Sequence, residues 1–453
     1  MVENNTKTNG AGRSALLTKE DWWAVWIGLG VIIIALIMYA AGSSIKEINV
    51  SFEKWGDLTE LGTTISGIFP KIIILYGILA AVFTGAMAIM GRNPAKFLAG
   101  FTVLFLMAVF IQILGAYKEM SKLSLEAPVL ALVLGMILGN VIKIPDWFQE
   151  GMRTEFYVKT GIVLLGATLP FTLILSSGPV AFLQATLVAV ATFVTIYFVG
   201  AHVLKLEKPF AATLGAGGSI CGVSASIAIG SSVNAKKEHV SIAISMVVIW
   251  ATIMVFLLPI ICRALGLSDG AAGAWIGTSE FADAAGIAAA AQFGDGATTT
   301  FTLMKVVGRD IFVGIWAFIL SIIAVTMWES HKGEDGATQK PSAGVIWERF
   351  PKFVLGFFIA SILITIVTLT GSPEFADGLK SNVTSPVGGG GGLRGWAFTL
   401  CFLCIGLTTR FRELTATGSK PFLAFTAGVG VNVILGFLLS TVFLNDYWTQ
   451  IGM

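Results

Sequence analysis

Charged residues are scarce in this sequence. Asp, Glu, Lys and Arg together make up 12% of the 453 residues, whereas hydrophobic residues make up 55%. Soluble domains carry about 25% charged residues, so the composition excludes an ordinary soluble protein. Basic runs never exceed two residues, and a nucleic-acid partner bound through a basic patch is therefore excluded as well. The sequence predicts an integral membrane protein whose surroundings are lipid.

Histidine and cysteine are also rare. The three histidines, His202, His239 and His331, fall near the ends of predicted spans or in a loop. The motifs G-x-S-x-G and H-E-x-x-H do not occur, so the sequence does not predict an enzyme. The four cysteines lie within apolar segments, where neither disulfides nor metal-binding loops are expected. We expect no cofactor and no bound metal, apart from Na+ or H+ as a coupling ion.

Long apolar runs, by contrast, cover most of the chain. Lipid offers no hydrogen-bond partners, so each run is expected to form a helix, and the predicted fold class is all-α. The hydropathy pattern predicts about thirteen transmembrane spans, within a range of about eleven to thirteen. They lie at residues 22–42, 65–90, 97–116, 127–142, 160–175, 179–204, 210–231, 241–262, 273–292, 297–327, 353–370, 393–409 and 421–445.

An internal repeat indicates the class of membrane protein. The segment from Gly166 to Leu183 aligns without gaps on the segment from Gly406 to Leu423, with matches at glycine, threonine and phenylalanine positions. An odd number of predicted spans separates the two copies, so they run in opposite directions through the bilayer. Inverted repeats are typical of secondary transporters.

The stretch "LGAGGSICGVSASIAIG", residues 214–230, predicts a broken helix within span 210–231. Glycines destabilise a helix interior, and we place the interruption at Gly217 and Gly218. The second half-helix then presents free amides at its N-terminus, which bind anions. Alternatively, the small residues only allow helices to pack closely. The predicted anion-binding residues in this stretch are Gly217, Gly218, Ser219, Ile220, Cys221, Gly222 and Ser224.

A second small-residue stretch, "GTSEFADAAGIAAAAQFGDG", predicts another broken helix at 273–292. It contributes Thr278 and Ser279 to the predicted substrate site. Glu280 and Asp283 fall inside the span, where a carboxylate costs about 2.5–3.5 kcal/mol and normally marks an ion pathway. We therefore predict that these two acids bind the coupling ion.

Two cations follow this second stretch. Lys305 and Arg309 are four residues apart and share one helix face. In one interpretation they attract the substrate anion. In the other they form ion pairs with Glu280 and Asp283 that merely neutralise the charges, and Asp310 is a further candidate partner. The sequence does not assign these pairs.

These segments together resemble a known family. "APVLALVLGMILGN", "GIVLLGATL", "GAGGSICGVSASIAI", "FGDGATTTFTLMKVVGR" and "GLTTRFREL", in this order, are similar to the YeiH-like sulfate exporters of bacterial inner membranes. The resemblance covers about residues 97–445 and implies an inverted-repeat transporter linked to sulfate or organosulfonate metabolism. By analogy with related broken-helix transporters, it implies elevator-like alternating access.

The chain departs from that family at one functional position. The family has a His-acid dipeptide in the second broken segment, where this sequence has Ala282-Asp283. A role for that histidine cannot be carried over, which favours Na+ coupling or a proton site made of acids alone. The spacing between Lys305 and Arg309 is also one residue longer than in the family.

We therefore predict a secondary transporter of a small anion, sulfate-like or an organosulfonate, coupled to Na+ or H+ by symport or antiport. The alternative is a Na+/H+ antiporter-like exchanger without an organic anion substrate. The predicted location is the bacterial inner membrane. The distribution of Lys and Arg between the loops predicts that the N-terminus lies on the cytoplasmic side. The sequence is compatible with a homodimer but does not determine the oligomeric state. The predicted parts are a cytoplasmic tail at 1–21, extra helices at 22–96, a first transporter part at 97–327, a cytoplasmic linker at 328–352, and a second transporter part at 353–453 that contains the inverted repeat of 127–204.

Overall fold

The structure, a computed structural model, describes residues 15–122, 127–310, 351–388, 392–409 and 418–453, together with residues 316, 319, 320, 322 and 323. This part of the chain is helical and contains no β-strand, so the predicted all-α class is confirmed. Most of the predicted linker 328–352 and the end of span 297–327 lie outside the described residues.

Twenty-one α-helices can be traced in the described residues. The first eleven are α1 (Ala15–Thr18), α2 (Glu20–Ala40), α3 (Leu58–Ile89), α4 (Pro94–Gly115), α5 (Lys118–Lys122), α6 (Ala127–Val141), α7 (Asp146–Gln149), α8 (Thr154–Leu165), α9 (Phe171–Phe198), α10 (Lys208–Ser219) and α11 (Val223–Ser232). The others are α12 (Lys237–Ala264), α13 (Asp269–Ser279), α14 (Asp283–Ala290), α15 (Asp295–Thr302), α16 (Lys352–Thr370), α17 (Pro373–Leu379), α18 (Ser385–Gly388), α19 (Leu393–Thr408), α20 (Ser419–Phe437) and α21 (Asn445–Ile451).

Shorter turns of other helix types join or extend these helices. The 3₁₀ turns are Ile45–Glu47 and Ala291–Phe293. The π-helical turns are Val199–Val203, Leu303–Val307, Lys380–Thr384 and Leu438–Phe443. The turn at Val199–Val203 continues α9, and the turn at Leu438–Phe443 continues α20.

Eight helical stretches in the described residues are long and apolar enough to cross a membrane. The chain is thus a multi-pass membrane protein by length and composition. The figure of about thirteen spans stays a prediction, because it also counts shorter segments. One predicted boundary is wrong: span 160–175 crosses the end of α8 at Leu165 and the start of α9 at Phe171. Hydropathy averages over the short connection between them, where Pro170 precedes α9 and favours an extended backbone.

The described helices form two compact units, each made of segments that are not consecutive in the chain. Unit 1 comprises residues 1–120, 144–168 and 355–401. In it α2 packs on α8, where the Lys159 ammonium lies 2.8 Å from the Asp21 carboxylate. Helices α3 and α4 pack through aromatic rings, and the Tyr76 and Thr102 hydroxyls lie 2.6 Å apart.

Unit 2 comprises residues 121–143, 169–354 and 402–453 and contains every residue of the predicted site. Within it α9 packs on α10 and on α20, and α13 packs on α15. The interior of unit 2 is lined by small residues, so the backbones of neighbouring helices approach closely. Gly135 of α6, for example, has no space for a side chain, because a Cβ there would lie 2.9 Å from the Leu403 carbonyl oxygen.

Four amide side chains of the apolar helices form hydrogen bonds that join distant parts of the chain. Each donates to a partner distant in the chain: Gln112 to the Thr399 hydroxyl (2.9 Å), Asn140 to the Thr409 carbonyl (2.8 Å), Gln184 to the Ser440 hydroxyl (2.6 Å) and Asn432 to the Thr192 hydroxyl (3.0 Å). Buried amides need such partners, since lipid supplies none.

Candidate functional site

The first predicted stretch leaves the helical conformation between α10 and α11. Helix α10 ends at Ser219, and α11 begins at Val223. Gly222 adopts φ +71°, a left-handed conformation that favours glycine. A Cβ on Gly222 would also collide with the carbonyl oxygen of Phe281. Glycine is therefore required here both by its backbone conformation and by the space around it.

The interruption does not lie at Gly217 and Gly218, where we predicted it. Both residues belong to the last turns of α10 and are fully packed. A Cβ on Gly217 would lie 2.5 Å from the Ser226 hydroxyl oxygen, and one on Gly218 would lie 2.5 Å from Ile196. These two glycines allow close packing, which is the alternative that the sequence analysis left open. A helix tolerates glycine when its neighbours need the space, so composition alone placed the break at residues 217 and 218, before its observed position at residues 220–222.

The second predicted stretch also leaves the helical conformation. Helix α13 ends at Ser279, and Glu280 and Ala282 are both extended, with ψ of 134° and 136°. Helix α14 then begins at Asp283. Because Phe281 lies against Gly222, the two interruptions are in direct contact. Phe281 also packs edge-on against Phe425 of α20, with ring centroids 5.6 Å apart.

Lys305 connects the two interruptions. It lies in the π-helical turn that follows α15, and its side chain is completely buried. The ammonium donates hydrogen bonds of 3.1 Å to the carbonyl oxygens of Ile220 and Glu280, one in each interruption. It also lies 3.5 Å from the Asp283 carboxylate. The ammonium thus donates two hydrogen bonds to the backbone, and it interacts with the Asp283 carboxylate as an ion pair.

The Arg309 side chain binds the C-terminal ends of two helices, α10 and α13. Its guanidinium donates to the Ser219 carbonyl at the end of α10 (2.7 Å) and to the Gly277 and Thr278 carbonyls at the end of α13 (3.2 and 2.8 Å). The last carbonyls of a helix have no partner within the helix and carry its partial negative charge. Lys305 and Arg309 therefore neutralise two helix C-termini that meet in the interior of unit 2.

Three acids surround these cations. Glu280 and Asp310 are buried, whereas 12% of the Asp283 side chain remains accessible. Asp283 is the first residue of α14, where a negative charge is favourable, and it lies beside Lys305. Glu280 is placed differently: one carboxylate oxygen accepts a 3.4 Å hydrogen bond from the Ala282 amide, and the other has no hydrogen-bond partner among the described residues.

The remaining predicted residues lie around this contact. Thr278 and Ser279 are buried, and the Thr278 hydroxyl donates 2.9 Å to the Trp275 carbonyl within α13. Cys221 is buried inside the first interruption. Ser224 lies in the first turn of α11, and its side chain is outside the described part of the structure.

One residue that the sequence analysis missed is Gly436 of α20. A Cβ there would lie 2.6 Å from both the Thr278 and Ser279 hydroxyl oxygens, so α20 presses its backbone against the end of α13. The sequence offers only a weak signal for Gly436, because α20 contains several other glycines.

These features define a class: a multi-pass, all-α membrane protein with two helix interruptions joined by buried cations. The chain belongs to the family described as Conserved hypothetical protein 698, whose family model matches residues 99–425. No solved structure shows a significant match.

Three relatives illustrate the extent of the similarity. The UPF0324 membrane protein RB9488 of Rhodopirellula baltica is 34% identical over 409 residues, covering 89% of this chain and 73% of that protein. A UPF0324 membrane protein of Nitratidesulfovibrio vulgaris is 30% identical, and the match covers 85% of this chain and 66% of the relative. The UPF0324 membrane protein NE0724 of Nitrosomonas europaea is 28% identical, with 95% of this chain and 96% of the relative covered.

Proposed function

We propose that the protein is a secondary transporter of a small anion, sulfate-like or an organosulfonate, coupled to Na+ or H+. In this proposal it works by elevator-like alternating access in the bacterial inner membrane, with its N-terminus in the cytoplasm. The observation that carries the proposal is the contact between the two interruptions, with both preceding helix ends held by Lys305 and Arg309.

The interruptions supply the chemistry that anion binding needs. An irregular backbone at membrane depth is tolerated only inside protein or beside a watery cavity. Two helices, α11 and α14, begin at this point, and the N-terminus of a helix attracts negative charge. We place the anion at the start of α11, near Cys221, Gly222 and Ser224, with Thr278 and Ser279 close by on α13. The cations act indirectly in this scheme, because they fix the backbone that surrounds the anion.

The internal repeat supports alternating access. Gly166 and Gly406, which align in the repeat, are 240 positions apart, and so are Thr192 and Asn432, whose side chains hydrogen-bond to each other. A residue that contacts its own repeat equivalent is expected on a pseudo-two-fold axis. The π-helical turns that end α9 and α20 also begin at nearly equivalent positions, Val199 and Leu438. Inverted repeats of this kind allow inward- and outward-facing states of similar energy.

A cation exchanger without an anion substrate is the second candidate. It is favoured by the fact that Lys305 and Arg309 donate to backbone carbonyls and not to the Glu280 carboxylate, one oxygen of which has no hydrogen-bond partner among the described residues. The two candidates differ in what crosses the membrane. Cation flux in proteoliposomes free of sulfate and sulfonates would favour the exchanger.

The test combines binding with flux. Purified protein is screened by thermal unfolding against sulfate, sulfite, thiosulfate and small sulfonates, with and without Na+, and each stabilising anion is then tested for uptake into proteoliposomes. We expect Lys305→Gln to lower uptake at least about 10-fold, because two carbonyls and Asp283 lose their partner. Lys118→Gln, which removes a half-exposed lysine paired with Glu60 outside the site, is the control and should retain uptake. Wild-type uptake by a folded Lys305→Gln protein would contradict the proposal.

A further inference from the structure

The coupling ion can be inferred from the way Lys305 is bound. Where transporters bind Na+ at an unwound helix, backbone carbonyls of the interruption coordinate the ion. Here the carbonyls of Ile220 and Glu280, one from each interruption, converge on the Lys305 ammonium at 3.1 Å each. The fixed ammonium therefore occupies the position that a Na+ ion would need.

Glu280 forms no ion pair within 4.0 Å among the described residues, whereas the Asp283 carboxylate lies 3.5 Å from the Lys305 ammonium. The Glu280 side chain is fully buried. The Lys305 ammonium donates to the backbone carbonyls of Ile220 and Glu280 and pairs with Asp283, and not with the Glu280 carboxylate. One oxygen of the Glu280 carboxylate has no hydrogen-bond partner among the described residues. Burial without a hydrogen-bonded cation disfavours an ionised carboxylate in this position, whereas a protonated carboxyl is neutral.

We propose that Glu280 carries the coupling proton and that Lys305 replaces Na+ at the contact between the interruptions, while Asp283 stays ionised as the counter-ion of Lys305. This inference rests on the proposed function and specifies its coupling ion as H+. With Glu280 protonated, the charges of Lys305, Arg309, Asp283 and Asp310 sum to zero. Loss of the proton adds a negative charge beside the anion site, so the anion and the proton bind together.

The surroundings of Glu280 contain few other titratable groups. They are Asp283 on α14, Lys305, Arg309 and Asp310 after α15, and Cys221 in the first interruption. Helices α12 and α20 contribute apolar side chains there, Val247 against Gly222 and Phe425 against Phe281. Protonation or deprotonation of the Glu280 carboxyl therefore changes the charge of the site most directly.

The test reads the proton directly and needs no substrate. The full chain is reconstituted in lipid, and infrared spectra are recorded from about pH 6.5 to about pH 10, a range in which free carboxylates are ionised. We expect a carbonyl stretch of a protonated carboxylic acid that disappears at high pH, is absent from Glu280→Gln and persists in Asp283→Asn. Glu280→Asp should retain a titrating band at a shifted frequency, which keeps the test valid if Glu280→Gln does not fold.

Three outcomes would overturn the inference. The first is a titrating band that Glu280→Gln leaves unchanged, and the second is no band in the wild-type protein at any pH. The third is loss of the band when Na+ is added at constant pH, since this would mean that Na+ competes for the carboxylate. Failure of every sulfur oxyanion in the flux assay would instead refute the proposed substrate class and leave the infrared result intact.

Discussion

Gly222 is the residue on which the first interruption most depends. Its positive φ costs an L-residue free energy, and its Cα faces the Phe281 carbonyl with no room for a methyl group. We expect Gly222→Ala to destabilise the protein by roughly 1–3 kcal/mol, the usual cost of a strained backbone position. Thermal unfolding in detergent measures this effect.

The matched control is Gly77→Ala in α3, a helical glycine around which a Cβ meets nothing within 4 Å. Alanine is favoured over glycine in a helix, so this variant should be as stable as the wild type or slightly more stable. Equal melting temperatures for Gly222→Ala and Gly77→Ala would show that the interruption does not require glycine at position 222.

At the same scale, the charged residues of the candidate site could be singled out from the sequence, whereas their contacts could not. Glu280, Asp283, Lys305 and Arg309 stood out because charges within apolar spans are costly. Which carbonyls the cations would bind was not predictable, since backbone acceptors carry no sequence signal. The break at Gly222 was missed for a related reason: the stretch holds several glycines, and only the three-dimensional contact with Phe281 distinguishes one from the others.

At the scale of elements, the contact between α13 and α20 depends on Gly436. Its Cα lies against the hydroxyls of Thr278 and Ser279, and nearby the Trp275 indole donates a 3.1 Å hydrogen bond to the Val433 carbonyl. We expect Gly436→Ala to push α20 away from α13 and to destabilise the protein by about 1–3 kcal/mol, as overpacking does. Gly430→Ala, in the same helix but with open space around its Cβ position, should be neutral. Similar thermal stabilities of the two variants would exclude this close contact.

The helices themselves were largely predictable, because lipid forces long apolar runs into helical conformation. Their ends were less so. The end of α8 and the start of α9 were merged into one predicted span, since the residues of the connection are nearly as apolar as the helices. The partners of buried amides are not readable from the sequence either: a polar group in an apolar helix needs a hydrogen-bond partner, but that Gln184 bonds to Ser440 and Asn432 to Thr192 is seen only in the structure.

At the scale of the whole molecule, the order of segments along the chain does not determine how they group in space. The predicted parts 97–327 and 353–453 are consecutive, whereas each compact unit is assembled from three separate segments. Hydropathy cannot distinguish which apolar helices pack together, because every helix of a membrane protein is apolar on most sides. The predicted division into parts therefore remains a prediction.

The orientation in the membrane gives the last prediction. If the N-terminus is cytoplasmic and α2 and α3 both cross the bilayer, the segment after α2 faces outward and the segment after α3 faces inward. The residues Ser43 and Arg92 are exposed, one in each of these segments. In intact cells a membrane-impermeant maleimide should label Ser43→Cys and not Arg92→Cys, and permeabilised cells should show labelling of both. The background is low because Cys221, Cys262, Cys401 and Cys404 are all buried. Labelling of Arg92→Cys alone in intact cells would show that the orientation is the reverse of the predicted one.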